Sequence, residues 1–183
     1  MRIIAGEMRG RQLKTVDGMQ TRPTSDKVKG AIFNVLGDKV LDARVLDLFA
    51  GTGNLAIEAL SRGSHHAVLV EKSRDAHGVI RNNIEQIGVG HKTKLLLLDA
   101  FKYINRYPNE VFDLIFLDPP YREGLVLKVI LALKEHSSLS PDGVIVAETA
   151  KDEQLEGDIY PFEIRKTGEY GDTKVWYLQR MDV

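Results

Sequence analysis

The stretch Val45-Leu46-Asp47-Leu48-Phe49-Ala50-Gly51-Thr52-Gly53-Asn54 decides the fold. Residues 45–49 form an apolar run of strand length, broken only by Asp47. Gly51-x-Gly53 then lets the backbone turn through conformations that a Cβ obstructs. The apolar spacing beyond it predicts a helix from Asn54 to about Arg62. A buried strand that turns through glycine into a helix is the first unit of an α/β sheet. On its own, the glycine pair marks only a tight strand-to-helix turn.

The alternation continues downstream and predicts strands at 67–70, 93–98, 112–117 and 143–148, with helices at 75–87, 100–106 and 125–135. Two further strands, 162–166 and 174–178, are joined through residues 168–173 and form an antiparallel edge. Apolar strands alternating with helices imply a mostly parallel sheet covered on both faces. Upstream, residues 2–5 and 12–16, punctuated by Gly6, Gly10 and Gly18, read as a small hairpin. Thr21-Arg22-Pro23-Thr24-Ser25-Asp26 is a turn expected to cap a helix carrying Val28, Ala31, Ile32, Val35 and Leu36 on one face, stopped by Gly37. The expected organisation is a hairpin-and-helix extension over 1–40 and a catalytic domain over 41–183.

Composition limits the function classes. The chain has 183 residues, 43% hydrophobic, 28% charged and a net charge of -1, which fits one globular domain and excludes coating nucleic acid by bulk charge. The charge is uneven: Arg2, Arg9, Arg11, Lys14, Arg22, Lys27 and Lys29 face only Glu7, Asp17 and Asp26 in the first 29 residues. A basic arm on an acidic body suits a nucleic-acid-facing extension, though a solvated surface has the same composition. There is no cysteine, so disulfides and thiolate metal sites are excluded. His65-His66 lacks partners at ligand spacing, and no metal is expected. With no apolar run of membrane-spanning or signal-peptide length, the expectation is a cytoplasmic protein with no membrane partner.

In an open α/β sheet, ligands bind beyond the carboxyl ends of the strands. The residues standing there are Asp47 to Gly53, Glu71, Asp99 and Asp118 to Tyr121. Glu71 can accept both ribose hydroxyls in a charge-assisted fork. Asp99, followed by Ala100, can accept from an adenine amino group, and it can equally cap the next helix. Gly51, Gly53, Ala56 and Glu71 also satisfy a nicotinamide-dinucleotide spacing.

Asp118-Pro119-Pro120-Tyr121 distinguishes these readings. Two prolines fix φ and remove two donors, so Asp118 and the Pro119 carbonyl form a stiff pair of acceptors. Tyr121 beside them can stack on a planar base. An amine attached to a base is a poor nucleophile because its lone pair is delocalised into the ring. Two acceptors gripping its hydrogens turn that lone pair toward an electrophile, so positioning does much of the work.

Asp47-Leu48-Phe49-Ala50-Gly51-Thr52-Gly53 and Asp118-Pro119-Pro120-Tyr121 resemble motifs I and IV of the amino-methylating class I methyltransferases. More narrowly, Arg2-Ile3-Ile4-Ala5-Gly6, Arg9-Gly10-Arg11, Thr21-Arg22-Pro23-Thr24, Asp26-Lys27-Val28 and Phe33-Asn34 resemble the RsmD family, which methylates the N2 amino group of a guanine in small-subunit ribosomal RNA. The likeness covers about residues 2–179.

It implies a Rossmann-like, seven-stranded sheet with S-adenosylmethionine over Asp47, Phe49, Ala50, Gly51, Thr52 and Gly53. Ribose would lie on Glu71 beside Lys72 and adenine near Asp99 and Ala100. Arg22, Thr24 and Asp118 would help to hold the methionine end. Asp118, Pro119, Pro120 and Tyr121 become the catalytic corner, and Arg9, Arg11, Arg22 and Lys27 the contacts to ribosomal RNA, free or within an assembling small subunit. The competing functions are adenine-N6 methylation, which shares the corner but usually needs a target-recognition domain; protein glutamine methylation, which usually has Asn where Asp118 stands; a nicotinamide oxidoreductase, which leaves the corner unexplained; and a silent RNA-binding module, which has no need of the acids.

Overall fold

The computed structural model describes residues 1–18 and 24–182. Ser25 opens α1 (Asp26–Leu36) by accepting the Val28 N–H, and Gly37 closes it before a short 3₁₀ turn, Gly37–Val40. Five strands, β1 (Arg44–Asp47), β2 (His66–Glu71), β3 (Thr93–Leu97), β4 (Phe112–Leu117) and β5 (Leu139–Ala150), then pair in parallel. Their crossovers are α2 (Asn54–Ser61), α3 (Arg74–Ile87), α4 (Ala100–Arg106) and α5 (Leu125–Lys134). A hairpin of β6 (Phe162–Tyr170) and β7 (Thr173–Arg180) completes the sheet, with β7 antiparallel to both neighbours. The order β3-β2-β1-β4-β5-β7-β6 is the seven-stranded, mostly parallel sheet expected. No helix among the described residues is long and apolar enough to cross a membrane.

Side-chain alternation divides the core between the two faces. Val45, Leu69, Leu114, Phe116, Val146 and Tyr177 pack with α1, α2 and α3. Their neighbours Leu46, Val68, Ile115, Ile145 and Trp176 pack with α4 and α5. The order in which strands are added along the sheet reverses between the parallel neighbours β1 and β4, so the crevice beyond their carboxyl ends is the natural ligand site. Thr173 pairs with Ala150, which brings the β6–β7 turn to that same edge.

Within the sheet, the structure departs from the expected elements in three places. β1 stops at Asp47, and Leu48 and Phe49 already belong to the turn. β5 runs over 12 residues, because Leu139 pairs with Phe112 ahead of a register shift, and the polar Pro141-Asp142 disguises the pairing. β6 and β7 also extend further than expected and leave only Gly171-Asp172 between them.

The N-terminal hairpin reduces to a single bridge, Arg2 with Gln12. The Ile3 and Leu13 N–H groups flank that bridge by donating to the Arg11 and Met1 carbonyls at 2.9 Å, while the Ile4 and Ala5 N–H groups donate to Glu58 on α2 at 3.0 and 3.1 Å, and the Met8 N–H to Ser61 Oγ at 3.0 Å. Glu58 also meets Lys29 Nζ from α1 at 3.0 Å, with both side chains fully buried. Gly6 permits this docking, since a Cβ there would stand 1.9 Å from the Ser61 carbonyl oxygen. The extension is therefore strapped to the helix that follows the glycine turn.

Candidate active site

A cleft of about 980 Å³ opens at the carboxyl edge of the sheet, at the upper end of small-molecule sites. One wall is the β1–α2 turn, where Asp47, Phe49, Ala50, Gly51 and Thr52 line the space. Asp47 is buried, and its Oδ1 has no partner among the described residues. Burial, the charge of Asp118 and that of Glu71 push its carboxyl up to about 8, against a Phe49 N–H that favours the anion. A buried acceptor without a donor is a place for a cationic or N–H-bearing ligand.

Glu71 braces the turn: its Oε2 accepts the Gly51 N–H at 2.8 Å and its Oε1 the Ser73 N–H at 2.9 Å. Each oxygen retains a second lone pair for a ligand hydroxyl. Gly53 does not line the cleft. It is the N-cap of α2 at φ 80°, and a Cβ would press on Ile57, Leu69 and Ile80 at 3.2–3.4 Å, so its part is to seat the turn. Lys72, Asp99 and Ala100 continue the wall. Asp99 caps α4 through Oδ1, accepting from Phe101 at 2.9 Å and Lys102 at 3.3 Å, and it faces the cleft as well.

The adjoining wall, from the end of β4 beside β1, is Asp118, Pro119, Pro120 and Tyr121. Thr24 joins it, with its hydroxyl 3.2 Å from Asp118 Oδ2 and 3.1 Å from Glu148 Oε1. Burial pushes Asp118 up to about 7, opposed by that hydroxyl. Glu148 rises well above the usual carboxylate range through burial and then the Asp118 charge, opposed by Thr24 and Tyr121. The Tyr121 hydroxyl lies 2.9 Å from Thr173 Oγ1, which pins the corner to the β6–β7 hairpin. Burial drives its phenol up to about 12, so it stays neutral.

Sequence reasoning missed Glu148, Tyr170 and Thr173, all of which line the cleft. Glu148 carried a signal, since it is an acid closing the fifth apolar run as Glu71 and Asp118 follow the second and fourth. Tyr170 and Thr173 gave none, because only the hairpin geometry brings them in.

The candidate RNA contacts divide. Lys27 is exposed at the cleft wall and Arg9 is exposed away from it. Arg11 has a structural occupation: its guanidinium donates to the Ile87 carbonyl at 2.8 Å and to the Gln86 carbonyl, closing the C-terminal end of α3. Arg22 lies outside the described residues.

S-adenosylmethionine fits this constellation. Its ammonium and sulfonium cations match the unpaired Asp47 oxygen and the raised Asp118–Glu148 pair, its ribose matches Glu71, and the glycine turn leaves the approach open.

Residues 1–179 match the family described as conserved hypothetical protein 95. A Bacillus subtilis chain provisionally named an rRNA methyltransferase is 37% identical over 96% of each chain. The ribosomal RNA small subunit methyltransferase D of Haemophilus influenzae is 35% identical over 85% of this chain and 81% of its own. A solved Escherichia coli structure with a provisional methyltransferase name superposes with a TM-score of 0.88 at 30% identity, covering 98% of this chain and 97% of that one. With the match running nearly end to end and the sheet shared, the chain belongs to this family, the RsmD family of the class I methyltransferase fold.

Proposed function

We propose that the chain transfers the methyl group of S-adenosylmethionine to the exocyclic N2 amine of a guanine in small-subunit ribosomal RNA. The observation that carries the reading is the common cleft: the Asp47–Thr52 turn and Asp118-Pro119-Pro120-Tyr121 line it together from the ends of adjacent strands. The methyltransferase D relative acts, by its name, on small-subunit ribosomal RNA.

The bound cofactor supplies a methyl carbon already activated by its sulfonium. Asp47 and Glu71 hold its cationic and ribose ends, and Asp99 and Ala100 border its adenine. Asp118 and the Pro119 carbonyl accept the two amine hydrogens and fix the nitrogen lone pair toward the methyl group. Tyr121 stacks on the base. As the new N–C bond forms and the C–S bond breaks, the amine becomes acidic. The Asp118 carboxylate, with its proton affinity near neutrality, takes the released proton. The base leaves its stack to enter, at a cost of a few kcal/mol unless it is already unpaired.

Residues 1–40 serve as the extension that closes the site and meets RNA, with Thr24 and Lys27 at the cleft and Arg9 on the exposed arm; residues 41–183 carry the transfer. The reaction belongs in the cytoplasm, on free ribosomal RNA or an assembling subunit. The test is tritiated-methyl transfer to small-subunit ribosomal RNA and partly assembled subunits from cells lacking the protein, followed by nucleoside analysis. N2-methylguanosine is expected. N6-methyladenosine would overturn the guanine assignment, and binding of NAD with indifference to S-adenosylmethionine would overturn the reading altogether.

A further inference from the structure

Glu148 is the site residue to which nothing so far gives a task. Its side chain is only 3% exposed, yet it opens onto the cleft from β5, beside the strand that delivers Asp118. One Thr24 hydroxyl lies within hydrogen-bond distance of both carboxylates. A group gripped by Asp118 therefore has Glu148 as its lateral neighbour, on the floor of the same pocket.

Base edges differ at that lateral position. Next to its exocyclic amine, guanine presents a ring N1–H, a donor. Adenine and 2-aminopurine present a bare N1, an acceptor. Ionised, Glu148 is an acceptor only, so it rewards the donor and repels the lone pair. The protonated form, which burial favours, carries an O–H that can donate to a bare N1, so the discrimination belongs to the ionised form. A site built to receive an N–H rejects an analogue lacking it far more strongly than shape alone can.

We propose that Glu148 is the residue that selects guanine, its carboxylate accepting the ring N1–H while the Asp118 corner holds the N2 amine. This rests on the guanine reading above and adds the means by which the base is told from others carrying an amine. Glu148 thereby touches the substrate, whereas a purely structural Glu148 would only orient Thr24.

The probe is 2-aminopurine, which keeps the C2 amine and lacks the N1–H. Once the target is mapped, a short RNA carrying either guanine or 2-aminopurine there is methylated by wild type and by Glu148→Gln. Wild type is expected to prefer guanine by about 10³-fold in kcat/KM. In Glu148→Gln, guanine methylation falls and the preference shrinks at least ~10-fold, because the carboxamide N–H can donate to the bare N1. An N2-methylguanosine product with the same preference in variant and wild type overturns the Glu148 assignment and leaves the guanine reading standing. Equal use of the two bases by wild type also overturns it, even if the variant does not fold. A wild-type product methylated on adenine N6 overturns both.

Discussion

Thr24 has one hydroxyl hydrogen and two carboxylate neighbours, at 3.2 Å and 3.1 Å. A single hydrogen serves both acceptors poorly, so without a ligand the Asp118–Glu148 pair is best satisfied when it carries a proton, in keeping with the raised values of both. The reaction requires Asp118 as an acceptor, which sets the sign of the pH dependence. Protonation below about 7 removes the grip on the amine, so kcat/KM for the RNA is predicted to fall about tenfold as pH drops from 8 to 6. A flat profile over that range would contradict the assignment. At this scale the sequence was legible where chemistry sits in consecutive residues, as at Asp118 to Tyr121. It was illegible where partners meet across 94 or 124 positions, as Thr24 does with Asp118 and Glu148.

Elements were read well where burial imposes a period. The five parallel strands and their crossover helices stand where apolar alternation put them, because each face of each strand meets a helix layer. The N-terminal hairpin is shorter than its sequence suggests, for a physical reason. The Ile3, Gly10 and Leu13 N–H groups bond across the hairpin, but those of Ile4 and Ala5 belong to Glu58, a residue whose acid lies inside an apolar helix, so the pairing extends no further. The buried Lys29–Glu58 pair, joined by Arg62 at 2.9 Å, fastens the N-terminal segment, α1 and α2 together. Glu58→Ala leaves the Lys29 charge in the core without its counter-ion, held only by the Arg2 carbonyl and Asn54 Oδ1, and two backbone donors without their acceptor. It is predicted to cost about 3–5 kcal/mol of stability by urea unfolding, typical of breaking a buried pair from one side. A loss below ~1 kcal/mol would mean that the strap is not structural.

For the whole molecule, the acidic cleft links stability to cofactor. Asp47 at about 8 and Asp118 at about 7 hold protons in the native state that the unfolded chain, with ordinary carboxyls, has already released. Native protein therefore binds more protons between pH 7 and 8.5, and its stability falls as pH rises through that window. The ligand-free Tm is predicted to drop by a few degrees from pH 7 to 8.5, and bound S-adenosylmethionine, by supplying cations, to flatten the slope. A ligand-free Tm that rises over this window would refute the linkage. The cleft itself joins two separable halves, a cofactor wall from the first half of the sheet and an acceptor corner from the switch to the second. Asp118→Ala measures that division most directly, with methyl transfer to small-subunit ribosomal RNA and calorimetric binding of S-adenosylmethionine followed on the same preparation. The account predicts transfer reduced by at least ~10²-fold, with cofactor affinity changed only a few-fold. Transfer at the wild-type rate would contradict it.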